Sequence, residues 1–356
     1  MAVSNLAIQQ LLKKTQGPAA RALDKLPDLA KESIAKALGY SYIYPQLDPL
    51  VKCLMAIQHK QGKFGLITDQ PLKDREGFEK QIAELTAKKT PVKHVEDIRL
   101  PLQSGTITAR HYHPDPQKKL PLIMFYHGGG FVIGSLNTHD EVCRLIAKYA
   151  NTQVISIDYP LAPEVGPKQI IQYCEDALAW AYQNRKQLKI YKNRISVAGD
   201  SAGANISAVV AQRTVNKAYK PSAQLLIYPV VDFKSRHPSF YNYNEGLVLT
   251  KDDVDRVTEF YAIRHHIELD DPLISPTYGE LKHLPPTFIL TAGHDVLHDE
   301  GKIYSHKLRQ QGVKVRYQEF EDQAHGFVNL TLVSGKAKKY TIQIAKDFRK
   351  FWNKAA

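Results

Sequence analysis

The sequence predicts an α/β protein with a mostly parallel central sheet covered by helices, and three observations carry that reading. Short apolar runs recur from about residue 92 onward: Leu120–Tyr126, Val154–Ile157, Ile195–Ala198, Ala223–Tyr228, Thr287–Leu290 and Val313–Tyr317. Helix-like stretches separate several of them, at 168–187, 202–217 and 301–311. Strands that alternate with helices join in parallel, and a sheet buried on both faces reads as unbroken apolar runs. The composition is ordinary for a globular chain, with 43% hydrophobic and 24% charged residues among 356, which excludes disorder and fibrous repeats.

Residues 1–90 read as helical. Leu47, Leu50, Val51 and Leu54 follow the i, i+3, i+4, i+7 spacing that gives a helix one apolar face. A second helix has Pro27 at its start and ends at Leu38 with Gly39 beyond it. Phe78, Ile82 and Leu85 mark a third, and the aromatic patch Tyr40, Tyr42 and Tyr44 lies between them. Helices this short are not stable alone, so they are expected to rest on the larger body formed by residues 91–356. From about 236 to 285 the chain leaves the strand–helix alternation, with a helical segment near Asp252–Arg264, and this reads as an insertion.

The formal charge is +12, from 48 Lys and Arg against 36 acids. The positive residues are scattered as pairs such as Lys13-Lys14, Lys88-Lys89, Lys118-Lys119 and Lys338-Lys339. Without a zinc-finger or RNA-recognition signature, this reads as a solvated basic surface and no nucleic-acid partner is expected. No apolar run approaches the roughly 18 residues of a membrane span, so stable membrane insertion is not expected. Lys13, Lys14, Arg21 and Lys25 interrupt any signal-peptide core, so a cytoplasmic location is expected. Cys53, Cys143 and Cys174 have neither zinc-site spacing nor an even count, and read as buried reduced thiols.

The chemistry concentrates after the strand ends. Gly199-Asp200-Ser201-Ala202-Gly203 matches G-x-S-x-G between a strand-like and a helix-like segment, the setting of a nucleophile elbow. His127-Gly128-Gly129-Gly130-Phe131 follows the strand Leu120–Tyr126, and glycines there let bare amides reach a developing oxyanion. A phosphate loop is the competing reading, but Ile133 stands where the dinucleotide fingerprint needs its third glycine. A serine nucleophile needs an acid and a base in the order Ser, Asp, His. Gly293-His294-Asp295 follows the strand Thr287–Leu290, and Ala324-His325-Gly326 lies beyond the last strand. The candidate catalytic set is Ser201, Asp295 and His325. Asp299 is the rival acid; it and Glu300 read as helix N-terminal carboxylates. His294 and His298 read at most as neighbours of the substrate site. His265 and His266 with Glu268, Asp270 and Asp271 read as a solvated surface, and no metal site is assigned.

Five stretches in order, HGGGF at 127–131, DYPLAPE at 158–164, GDSAG at 199–203, DVLHDE at 295–300 and HGF at 325–327, resemble the hormone-sensitive-lipase-like esterases of the α/β-hydrolase superfamily. The resemblance implies carboxylic ester hydrolysis and a helical cap built from residues 1–90 and the 236–285 insertion. It also implies oxyanion donors at Gly128, Gly129 and Ala202, with His127, Gly130, Asp200 and Glu164 in support, and homodimers are frequent in the family. The chain departs from the family pattern at Pro160, where Arg is usual, at Val296, where Pro is usual, and at Ala204, where a second Gly is usual.

The chemistry expected is attack by Ser201 on the carbonyl of a small-molecule ester with a short- to medium-chain acyl group, through an acyl-enzyme, without a cofactor. Amide or lactone hydrolysis would use the same residues. A non-catalytic receptor of the same fold would lack the histidine that His325 supplies. The Tyr40, Tyr42, Tyr44 and Phe240, Tyr241, Tyr243 clusters suit either core packing or the walls of an acyl pocket.

Overall fold

The computed structural model describes residues 16–62, 65–86 and 88–355. Four helices come first: α1 (Gln16–Asp24), α2 (Asp28–Ala37), α3 (Pro49–Lys60) and α4 (Pro71–Leu85). The three anticipated from spacing are α2, α3 and α4. Asp48 caps α3 by accepting the amides of Leu50 and Val51 at 2.8 and 3.4 Å, with Pro49 at the first turn. Lys13 and Lys14 lie outside the described residues.

The sheet has eight strands: β1 (His94–Leu102), β2 (Gly105–His113), β3 (Leu120–Tyr126), β4 (Gln153–Ile157), β5 (Ile190–Asp200), β6 (Gln224–Ile227), β7 (Thr287–His294) and β8 (Val315–Ala324). Their order is β1-β2-β4-β3-β5-β6-β7-β8, with β2 antiparallel to both its neighbours, β1 and β4, and every other adjacent pair parallel. All residues of β3, β4 and β6 are buried, as strands covered on both faces must be. One face carries α6 (Pro167–Gln183) and α7 (Ala202–Arg213), and the other α5 (Asp140–Tyr149) and α11 (Gly335–Ala355). Between β6 and β7 run α8 (Pro238–Asn242), α9 (Lys251–Tyr261) and two 3₁₀ turns; α10 (His298–Gln310) follows β7. Among the described residues no helix is long and apolar enough to cross a membrane.

β1, β2, α5 and α11 are not among the elements expected from the sequence. The antiparallel pair β1–β2 is half exposed and carries Glu96, Asp97, Arg99 and Arg110, so it offers no apolar run to recognise. All three cysteines are buried and unpaired.

Register positions the chemistry. Tyr126, the end of β3, pairs with Gly199 near the end of β5, so the triple-glycine loop and the elbow leave the sheet side by side. At the far edge His294 of β7 pairs with Ala324 of β8, which brings the next residues of each strand, Asp295 and His325, together. A Cβ on Gly203 would overlap the Tyr126 carbonyl oxygen, and one on Gly199 would overlap the Gly203 backbone. Gly203→Ala is therefore expected to cost about 1–3 kcal/mol of stability. Gly77→Ala, on α4 where a Cβ meets nothing within 4 Å, should instead gain roughly 0.5–1 kcal/mol. Calorimetric melting of both variants checks the opposite signs.

Candidate active site

Ser201 sits at φ 53°, ψ −119°, a strained turn held by its own amide donating to Ile227 O at 2.8 Å. That turn raises Oγ above the sheet edge, where it lies 2.9 Å from His325 Nε2. His325 Nδ1 is 2.7 Å from Asp295 Oδ2, and Asp295 Oδ1 accepts the Leu297 amide at 2.9 Å. All three side chains are buried, Asp295 at 1% exposure. A carboxylate fixed by an amide on one oxygen leaves the other to hold the imidazole with Nε2 toward the hydroxyl. That is the geometry in which a serine can pass its proton to a base.

The rival acid lies elsewhere. Asp299 Oδ1 is 2.9 Å from His298 Nδ1, and its Oδ2 accepts the Ser239 amide at 2.9 Å. Glu300 stands in the first turn of α10, as expected, but it is also buried, lines the cavity beside Ser201, and accepts the Val231 amide at 2.6 Å. Burial holds its carboxyl well above the usual range, against the opposing pull of that amide. His294 and His298 do not reach the cavity; His294 packs between Tyr44 and Tyr243, and His298 pairs with Asp299 and Glu319. His265 Nε2 lies 3.1 Å from Pro163 O, and Asp270 pairs with Lys234.

The triple-glycine loop requires one correction. The Gly128 amide, expected to face the oxyanion, donates to Asp200 Oδ1 at 3.0 Å, so it is spent on holding the loop. Among the described residues, the amides of Gly129, Gly130 and Ala202 donate to no protein acceptor. Gly129 and Gly130 have φ of 117° and 60° and both line the cavity. Asp200 is buried beside Ser201, with His139 Nε2 at 3.3 Å and the Tyr228 hydroxyl donating at 3.4 Å. Burial pushes its pKa upward, but His139, the Gly128 amide and His127 outweigh it and keep the carboxyl below the ordinary range.

Three contributors were not legible in the motifs. Arg75 of α4 donates from Nε to Val132 O at 2.8 Å, from Nη2 to Ala162 O at 2.8 Å, and forms a 2.6 Å ion pair with Glu164. It thus fastens the segment after the glycines to the 158–164 stretch, where Pro160 supplies no side-chain donor. Asp253 of α9, 1% exposed, accepts the amides of Leu66 and Ile67 at 2.7 and 2.9 Å on one oxygen and the Thr250 amide and hydroxyl on the other. Tyr228 packs its ring 4.7 Å from that of His325. Thr250 and Asp253 form a local capping box, but the other partners are distant in sequence, so no spacing rule exposes those contacts.

Apolar side chains from three regions wall the cavity: Met55 and Phe78 from the N-terminal helices, Phe131 and Phe233 from the sheet edge, and Val254 and Val257 from α9. None of the six residues in the two aromatic clusters is among them. Tyr40 and Tyr44 instead donate to Gly246 O and Glu245 O, binding the N-terminal segment to the insertion.

A family model described as the alpha/beta hydrolase fold matches residues 123–329. A carboxylic ester hydrolase of Mycobacterium tuberculosis, LipN, is 34% identical, covering 92% of this chain and 89% of that protein. A carboxylesterase of the same organism, NlhH, is 37% identical over 75% of this chain and 87% of that one. Among solved structures, the Pyrobaculum calidifontis esterase superposes with a TM-score of 0.76 at 33% identity, over 87% of this chain and 99% of that one. An ester hydrolase from the Lake Arreo metagenome reaches 0.81 at 32% identity, over 88% and 100%. Fold and comparisons define an α/β hydrolase. The chain belongs to the hormone-sensitive-lipase-like esterases of that superfamily, and it is a carboxylic ester hydrolase.

His127 supports the site without charge. It is fully buried, stacks on Tyr159 at 4.3 Å, and directs Nδ1 to Gly128 O at 2.8 Å. Burial, then the neighbouring His139, pushes its pKa down to about 3. The unfolded ring titrates near 6.5, so below about that pH the unfolded state binds a proton that the fold refuses. Stability should fall as pH drops from about 6.5 toward 4, with His127→Gln removing about one proton from the slope. Urea midpoints across that range test it; parallel curves for the two proteins would count against it.

Proposed function

We propose that Ser201 is the nucleophile, His325 the general base and acid, and Asp295 the group that orients the imidazole and stabilises its charged form. The 2.7 and 2.9 Å contacts that chain the three side chains together are the observation that carries this reading. Ser201 Oγ attacks the ester carbonyl while its proton passes to His325 Nε2. The tetrahedral oxyanion accepts hydrogen bonds from the open amides of Gly129, Gly130 and Ala202, each worth about 3 kcal/mol of barrier. His325 then protonates the departing alcohol, leaving an acyl-serine. Water, deprotonated by the same imidazole, attacks the acyl group and frees the acid and the enzyme.

The cavity walls favour an uncharged short- to medium-chain acyl group, because their side chains are largely apolar and pocket carboxylates such as Glu300 and Asp253 are engaged with backbone amides. The helices of residues 16–85 and the 236–285 insertion act together as a cap, joined through Asp253, Tyr40 and Tyr44.

Ser201→Ala should lower kcat on p-nitrophenyl butanoate by about 10⁶-fold, and Asp295→Asn by about 10⁴-fold through the wrong imidazole tautomer. The wild type should release a stoichiometric nitrophenol burst that Ser201→Ala lacks. Turnover retained by Ser201→Ala would sink the assignment. Arg75→Met should loosen the glycine loop and reduce kcat roughly 10–100-fold while KM changes little, since a misplaced oxyanion donor acts on the transition state. A rise in KM alone would give Arg75 a binding role instead.

A further inference from the structure

We propose that the cavity beside Ser201 continues into a second apolar chamber, which receives the distal methylenes of esters carrying a long alkyl tail. The inference rests on the ester-hydrolase reading above and extends it to a subsite built by the N-terminal helices.

The second chamber lies between α1, α3 and α4, with Ala19, Ala20, Leu54 and Val333 on its walls. Met55, Gln58, Gln81, Leu85 and Leu330 line this chamber and the Ser201 cavity alike, so one layer of side chains divides the two. That layer is yielding. Met55 is unbranched and fills irregular gaps by rotation about several bonds. The side-chain amides of Gln58 and Gln81 take part in no hydrogen bond among the described residues, so none holds them in place. Beyond the layer, the two small side chains Ala19 and Ala20 leave the chamber its width.

The lining names the occupant. Every side chain of the second chamber is aliphatic, thioether or carboxamide, and none is charged. A phosphate, carboxylate or ammonium would find no counter-charge there, whereas methylenes leaving water gain about 0.8 kcal/mol each. A short ester ends inside the Ser201 cavity; a long alkyl tail reaches past Met55 and Leu85 into the chamber.

The test compares kcat/KM for p-nitrophenyl dodecanoate and butanoate in the wild type and in Ala20→Phe, which fills only the second chamber. Both esters are assayed on one preparation, so any misfolded fraction cancels in the ratio. The dodecanoate-to-butanoate ratio should fall at least about tenfold, as the loss of roughly two buried methylenes requires. Leu85→Ala, which thins the dividing layer, should move the ratio the opposite way. A parallel series of alkyl butanoates tells whether the tail enters on the acyl or the alcohol side. Ratios unchanged in both series, with butanoate still hydrolysed, would overturn the second chamber and leave the esterase reading standing. A wild type inert on every ester would overturn both.

Discussion

The site depends on one close approach: the Tyr126 carbonyl oxygen at the end of β3 lies where a side chain on Gly203 would stand. Because that contact admits only hydrogen, the strand ends come together and the serine between the two elbow glycines is forced to φ 53°. The strain is tolerated because the turn is anchored on both flanks, by Ser201 N on Ile227 O and by the β3–β5 register that pairs Tyr126 with Gly199. The same approach sets the glycine loop next to the elbow, so the Ser201 hydroxyl and the open amides share one small volume.

Charge around that volume is divided among carboxylates with distinct partners. Asp295 faces the imidazole, Asp200 holds a loop amide, Asp299 binds a histidine on the outside, and Glu300 secures the Val231 turn. Two of them lie within reach of histidines that support rather than react. His127 remains neutral because it is enclosed, and stacking on Tyr159 holds it without a charge. A buried site can therefore carry several acids without mutual repulsion dominating, because each charge or proton is matched locally.

Much of this was legible in the chain because it is written as steric necessity at short range. Gly199 and Gly203 around Ser201, three glycines after an apolar strand, and an acid and a histidine just past successive strands are local patterns with a physical cause. Which amide of the loop faces outward is not local. It depends on Asp200, 72 residues away, capturing Gly128. The tertiary roles of Arg75 and Asp253 are hidden for the same reason: on an amphipathic helix each looks like solvated or capping charge until Val132, 57 residues from Arg75, and Leu66, 187 residues from Asp253, arrive. The aromatic clusters mislead in the other direction, since a tyrosine's ring suits a pocket wall and an inter-segment seam equally well.

Asp253 has a consequence for motion. Its two oxygens serve two segments, Leu66 and Ile67 on one side and Thr250 on the other, and its burial leaves water no ready way to substitute. Thr250 caps the helix that carries Asp253, so that oxygen stays satisfied when residues 66–67 leave, whereas their departure strands two amides and the other carboxylate oxygen at once, which resists fraying of that segment. Residues 66–67 are thus tied to the helix that supplies Val254 and Val257, so one cavity wall is assembled from stretches of chain almost two hundred residues apart.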